Sequence, residues 1–267
     1  MKYDLSYDPI ELQNKINWAA FLFAWGFKHQ DSLHFEAQKL KSEAAKLLQD
    51  LSKKHFKVKA RLIVLDAFSR EDDLIVTSNK TTITIPCLRQ QTLDAGCSVY
   101  KCLADYLAPE NTNHPIGNKL VLFATTFKTN NNTLPTNAYQ QMLLQTLSDR
   151  LAEAAAEETH NFALCHIWNK TNDAPIWGIR PAIGYPSLPD MSLNFVLDHF
   201  LEFESMGISL TSSGMMDPHA SVSGLLFAHP QATYFNLGKI SKEQLIDYAR
   251  RRQTDLHSIS KYIRSEL

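Results

Sequence analysis

Residues 60–86 read ARLIVLDAFSREDDLIVTSNKTTITIP. The run Ala60–Ala67 is apolar over the length of a buried strand. Leu74–Thr77 and Thr81–Ile85 are two further short runs rich in β-branched residues, with Ser78-Asn79-Lys80 between them as turn chemistry. Strands this close in sequence pair as a hairpin, because a parallel pair needs a crossover of about a dozen residues or more. At least part of the sheet is therefore expected to be antiparallel.

The flanking sequence adds helices. Ile10–Trp25 is apolar with an amphipathic rhythm and is expected to open the fold as a helix. Leu40, Ala44, Leu47, Leu48 and Leu51 form one apolar stripe, with Lys39, Lys41, Glu43 and Lys46 covering the other side. Lys119–Thr126 (KLVLFATT) reads as another buried strand and Lys128–Thr133 (KTNNNT) as a loop. The longest helix is expected over Asn137–His166, with Met142, Leu143, Leu147, Leu151 and Ala154 facing inward. Prolines at 175, 181, 186 and 189 exclude a regular element from Asn169–Pro189. A helix over Ser192–Phe203, a polar stretch at Ser209–Gly214 and a strand over Ala220–Ala228 follow. Ser241-Lys242-Glu243-Gln244 fits a capping box that starts a helix to Arg251, and the tail from Asp255 is helical. No repeat or linker interrupts this order. The reading is one α+β domain over residues 1–267, with residues 1–10 as an N-terminal tail.

Composition narrows the function classes. The chain has 267 residues, 44% hydrophobic and 21% charged, enough to bury a core. Its 27 basic and 28 acidic residues leave a net charge of −1, which argues against a nucleic-acid partner. Glycine numbers only 9, and neither a G-x-G-x-x-G nor a Walker loop is present. H-E-x-x-H, Cys/His metal spacing and G-x-S-x-G are also missing, so no metal site is expected. Cys87, Cys97, Cys102 and Cys165 make no disulfide framework. The opening MKYDLSYDPI does not read as an export signal, and the apolar run Ile16–Phe27 falls short of the roughly 20 residues that span a bilayer. A reduced cytoplasmic protein with no membrane partner is expected.

Three segments stand out. Trp177–Asp190 (WGIRPAIGYPSLPD) sets a lone arginine among glycines and prolines. Such a stiffened loop could hold Arg180 and bare amides against an anion without an ordering cost, or be a surface turn with a salt bridge. Ala220–Tyr234 (ASVSGLLFAHPQATY) places small residues inside an apolar strand, where Gly224 marks close approach by a ligand, another backbone or a helix. Asp149 and Glu153 lie four apart on the long helix and face the same way, either as a solvated edge or to steer a cation.

Together these segments resemble the C-terminal reactivation domain of cobalamin-dependent methionine synthase, which binds S-adenosylmethionine. The family pattern GIRPA-x-GYP, then P-D, appears as Gly178–Pro186 and Pro189-Asp190. The pattern ASVSG…HP…Y appears as Ala220–Gly224, His229-Pro230 and Tyr234, and DYARR as Asp247–Arg251. LRQQT at Leu88–Thr92, CLADYLAP at Cys102–Pro109 and SDRLAEA at Ser148–Ala154 extend the likeness upstream. It runs in consistent order from Glu11 to the C-terminus.

The resemblance implies a C-shaped α+β domain around a twisted antiparallel sheet with flanking helices. It implies a methyl donor, S-adenosylmethionine, held over cobalamin that a partner chain supplies, with an electron from a flavodoxin-like donor to restore methylcobalamin from the inert Co(II) state. The chain is then a component of methionine synthase activity, a free-standing reactivation subunit for a methionine synthase or related corrinoid protein, with no catalytic nucleophile of its own. Arg180 would pair the ligand carboxylate, and backbone groups of Ala182 and Gly184 would fix its polar edges. Tyr185, Tyr234 and Phe235 would pack on it, Asp149 and Glu153 would favour its cation, and Tyr185 and Met191 would face the cobalamin.

Four departures accompany the likeness. Asn17 replaces a ligand-touching aspartate, which implies about tenfold weaker binding. Met191 replaces a histidine, and Ser212 stands in the family's L-T-E-S. The stretch before GIRPA is shortened to Asn169–Trp177. These changes leave as the alternative a non-catalytic docking or ligand-sensing module with a degenerate site.

Overall fold

The computed structural model describes residues 1–28, 34–78, 81–110, 112, 119–129, 137–170 and 177–263. The turn residues Asn79 and Lys80, most of the loop expected at Lys128–Thr133 and part of Asn169–Pro189 lie outside the described residues.

The strands are β1 (Lys2–Tyr7), β2 (Val58–Arg70), β3 (Asp73–Ser78), β4 (Thr81–Pro86), β5 (Lys119–Phe127), β6 (Ser209–Leu210), β7 (Met216–Asp217) and β8 (Ser221–Leu226). One sheet runs β4-β3-β2-β5-β8, and β6 pairs with β7 separately. The expected hairpin is β3–β4, antiparallel from Asp73 opposite Pro86 to Ser78 opposite Thr81. The long β2 organises the sheet: β1 and β3 share one of its edges in line, and β5 takes the other, all antiparallel.

The first ten residues are not a tail. Lys2–Tyr7 is a strand whose Tyr3, Leu5 and Tyr7 turn inward while Lys2, Asp4 and Ser6 face out, a period-2 alternation short enough to pass unnoticed beside the longer runs. Ile10–Trp25 is likewise not one helix. It splits into a 3₁₀ turn (Gln13–Lys15) and α1 (Trp18–Ala24), because Asn17 leaves helical geometry and caps α1, its Oδ1 accepting from Ala20 N at 2.9 Å.

The remaining helices are α2 (Phe35–Lys53), α3 (Ala138–His166), α4 (Leu193–Leu201), α5 (Phe203–Met206), α6 (Lys242–Arg251) and α7 (Leu256–Ser260). Along β2 and β5, Leu62, Val64, Val121 and Phe123 point to Ala156, Ala163 and Ile167. Ile63, Leu65, Leu120 and Leu122 point the other way, into a core with Leu193 and Leu197 of α4 and Leu245 and Tyr248 of α6. Both faces are covered, so these strands read as unbroken apolar runs rather than as alternation. The N-terminal half of α3 also receives α1 and α2 through Leu143, Leu147 and Leu151. Arg61 on β2 ties the sheet to the α4–α5 junction by donating to Leu201 O (2.7 Å) and Ser205 Oγ (2.6 Å).

The capping box at Ser241 is half made. Ser241 Oγ accepts from Gln244 N at 3.2 Å, but Gln244 Nε2 donates to Arg89 O at 3.0 Å instead of reaching back. Among the described residues, no helix is long and apolar enough to cross a membrane.

Candidate functional site

β8 is the last strand of the sheet, and the proline-stiffened segment covers its free edge. Ile179 and Phe227 exchange both backbone bonds at 3.0 Å, Leu225 N donates to Pro181 O at 3.0 Å, and Ile183 N to Ser223 O at 2.9 Å. Pro181 lacks an N–H and so costs one rung, which an edge segment tolerates. Ala182 lies opposite Gly224 in this ladder. A Cβ on Gly224 would sit 2.3 Å from Pro181 O and 2.8 Å from Ala182 Cα. The close approach expected at Gly224 is therefore by another backbone.

The alternation of the ladder aims the next backbone donors outward. Arg180 N donates to Tyr234 Oη at 2.9 Å. Ala182 N has no acceptor among the described residues. Beyond it, Gly184 N donates to Leu188 O and Leu188 N to Tyr185 O, both at 2.8 Å, closing a tight turn that leaves the Tyr185 side chain 53% exposed. Gly184 holds φ at +87°, and a Cβ there would meet Met191 Sδ at 2.7 Å.

A cleft of about 610 Å³ opens on this edge, with Arg180, Ala182 and Tyr185 on one side, Tyr234 and Phe235 on another and Glu153 of α3 beneath. The Arg180 guanidinium makes no ion pair or hydrogen bond with the described residues. Glu153 pairs with Arg150 at 2.8 Å, yet burial pushes its carboxyl above the usual range against the pull of Arg150. Partial burial, and next the Glu153 charge, push the Tyr185 phenol up. A smaller cleft of about 150 Å³ adjoins the first, sharing Glu153, Ala182, Tyr185 and Val222 and adding Asp149. Asp149 Oδ1 lies 3.1 Å from His219 Nδ1.

Of the residues singled out by sequence, Arg180, Ala182, Tyr185, Tyr234, Phe235 and Glu153 line the main cleft, and Asp149 lines its neighbour. Gly184 supports the turn from behind. Asn17 is exposed, spends its oxygen on the α1 cap, and is not among the described residues lining either cleft. Met191 is half-buried against the core under Gly184. Sequence reasoning missed Asp94 and Asn236, which also line the main cleft. Asp94 lies just past the LRQQT pattern, the one signal that could have drawn attention to it.

Among the described residues, no group of three or more His, Cys, Asp or Glu could hold a metal ion. The main cleft has the donor set for a zwitterionic ligand: a cation and an amide, both unpaired among the described residues, for a carboxylate, and aromatic rings for an apolar or cationic body.

Comparison with known proteins fits this geometry. The family described as "Vitamin B12 dependent methionine synthase, activation domain" matches residues 10–253. A crystal structure of the MetH reactivation domain bound to AdoHcy is similar at a TM-score of 0.88 and 29% identity, over 98% of this chain and 89% of that one.

Proposed function

The chain belongs to the activation-domain family of vitamin B12 dependent methionine synthase, and from that premise we propose that it binds S-adenosylmethionine in the Arg180 cleft and supports reductive methylation of oxidised cobalamin carried by a separate chain. The observation that carries this reading is the convergence on one cleft of a guanidinium and a backbone N–H, both unpaired among the described residues, with aromatic rings. A structural neighbour that binds an S-adenosyl ligand supports it.

Each residue then has a task. Arg180 pairs the ligand carboxylate, ideally through two parallel bonds. Ala182 N donates to a polar edge, and the Gly184 turn keeps Tyr185 over the cleft. Tyr185, Tyr234 and Phe235 pack on the ligand, and a ring near its positive charge adds about 0.5–2 kcal/mol. Glu153 and Asp149 give the adjoining wall its acidic character. Bound there, S-adenosylmethionine supplies a methyl group activated on a sulfonium. This chain adds no nucleophile; it orients the donor and leaves the exposed Tyr185 side toward the cobalamin-bearing partner, a methionine synthase or related corrinoid protein served by a flavodoxin-like electron donor.

The test mixes the protein with a partner loaded with cob(II)alamin, a reductant and methyl-labelled S-adenosylmethionine, and follows label transfer and the cobalamin absorption spectrum. Transfer that depends on this protein is expected. Saturable binding with no transfer would replace this reading with a docking or sensing module, and no binding would sink both.

A further inference from the structure

Thr233–Lys239, the segment that carries Tyr234 and Phe235, has no regular secondary structure. Its backbone groups must find partners elsewhere, and they find them in the two upstream patterns that the cleft itself leaves unexplained. Tyr106 Oη donates to Thr233 O at 3.1 Å and accepts from Thr233 N at 3.4 Å. Gln90 Nε2 donates to Asn236 O at 3.1 Å, and Gln91 N to Leu237 O at 2.6 Å. Lys101 Nζ reaches Thr233 Oγ1 at 3.1 Å. These partners are themselves locked together: Asp94 accepts from Lys101 Nζ at 2.8 Å and from Gln90 Nε2 at 2.9 Å, while Gln90 Oε1 accepts from Lys101 N at 3.2 Å. Gln90 is buried.

We propose that Gln90, Asp94, Lys101 and Tyr106 form a brace that positions Tyr234, and through its hydroxyl the Arg180 backbone, for ligand binding. Both ends of Thr233 are held, so the ring of Tyr234 starts from a fixed Cα although it is exposed. Its Oη then takes the Arg180 N–H. The covering segment on the β8 edge is thus pinned from two sides, by the ladder and by Tyr234. Lys101 and Tyr106 are positioning residues: they act on the ligand through Tyr234. The inference rests on the reading of the cleft as a ligand site, but the coupling from Tyr106 to Arg180 N is a property of the protein alone.

The experiment uses Tyr106→Phe, which deletes one hydroxyl, and Lys101→Met, with Lys101→Arg as the conservative rescue. Amide exchange at Arg180 is read first, without ligand, with β2 amides as the control for global opening. Exchange at Arg180 is expected to rise several-fold in Tyr106→Phe and Lys101→Met, to rise as far in Tyr234→Phe, and to return toward wild type in Lys101→Arg. Titration with S-adenosylmethionine should show binding weakened about fivefold to tenfold, the loss of one or two hydrogen bonds. Either substitution combined with Tyr234→Phe should raise exchange at Arg180 little further, because all act on that amide through one hydroxyl. Wild-type protection of Arg180 in both variants would overturn the brace. So would effects on that exchange that add fully to those of Tyr234→Phe. A wild-type protein that binds no S-adenosylmethionine would sink the proposed function, while the exchange comparison still decides the brace.

Discussion

At the scale of single residues, the cleft depends on two positions of opposite character. Gly224 is needed for what it lacks. Its missing Cβ would meet Pro181 O, Ala182 Cα and Phe123 Cε1, all within 2.9 Å, and two of these are backbone atoms that cannot rotate away. Gly224→Ala is therefore expected to cost about 1–3 kcal/mol as overpacking, measured as a lower urea midpoint, and to weaken ligand binding as the covering segment lifts. Unchanged stability would mean that segment is loosely held. Arg180 is needed for what it offers. Arg180→Ala should weaken S-adenosylmethionine binding by roughly 10–100-fold, since hydrogen bonds to a charged partner are worth about 1.5–3 kcal/mol, while leaving the thermal midpoint nearly unchanged because the guanidinium pairs with no described residue. A large fall in the midpoint would point to a structural role instead. Arg180 was legible in the sequence because prolines and glycines around a lone cation are an unusual arrangement. The partner of Gly224 was not: a strand glycine announces close approach without saying by what.

At the scale of elements, the DYARR pattern shows how identical letters divide. Arg250 is 76% exposed and among the described residues pairs only with Asp247 in its own helix, whereas Arg251 is 13% exposed and joins Asp247, Asp73 and Cys87 O, tying α6 to β3 and the end of β4. Arg250→Ala should cost less than about 0.5 kcal/mol, and Arg251→Ala about 1.5–3 kcal/mol. Denaturant unfolding of the two variants checks this, and equal losses would refute it. Tyr248 of the same helix donates to Asp190 at 2.8 Å, and Arg252 adds a bond at 3.2 Å. Asp190 is 1% exposed and also accepts from Ser192 N and Oγ. The P-D and DYARR patterns are thus two halves of one clasp that fixes the end of the cleft loop to α6. Asp190→Ala, which leaves a buried hydroxyl and a cation unpaired, should cost about 3–5 kcal/mol. Periodicity located α6 well, and Ser241 marked its start. It could not separate the two arginines, because which side of the helix meets β3 is decided by elements more than a hundred residues upstream.

At the scale of the whole molecule, the sheet class was readable because β3 and β4 are neighbours in sequence. The cleft was not, since Asp94, Glu153, Arg180 and Phe235 meet only after β5, β8 and α3 have packed. The same packing buries His160 of α3, which is 3% exposed with its Nε2 unpartnered among the described residues. Burial, and next the Arg180 charge, lower its pKa from 6.5 to about 4. The unfolded chain therefore binds a proton below 6.5 that the native protein refuses until about 4. Stability from this residue is fully present above pH 6.5 and is lost as the pH falls across that window, by about 3 kcal/mol in all. Glu153 opposes it: burial raises its carboxyl, so native protein gains protons more readily just above the ordinary glutamate range. Urea unfolding between pH 7 and 4.5 should show wild-type stability falling steeply while His160→Gln falls much less. Parallel curves would mean that His160 already gains its proton in the native state.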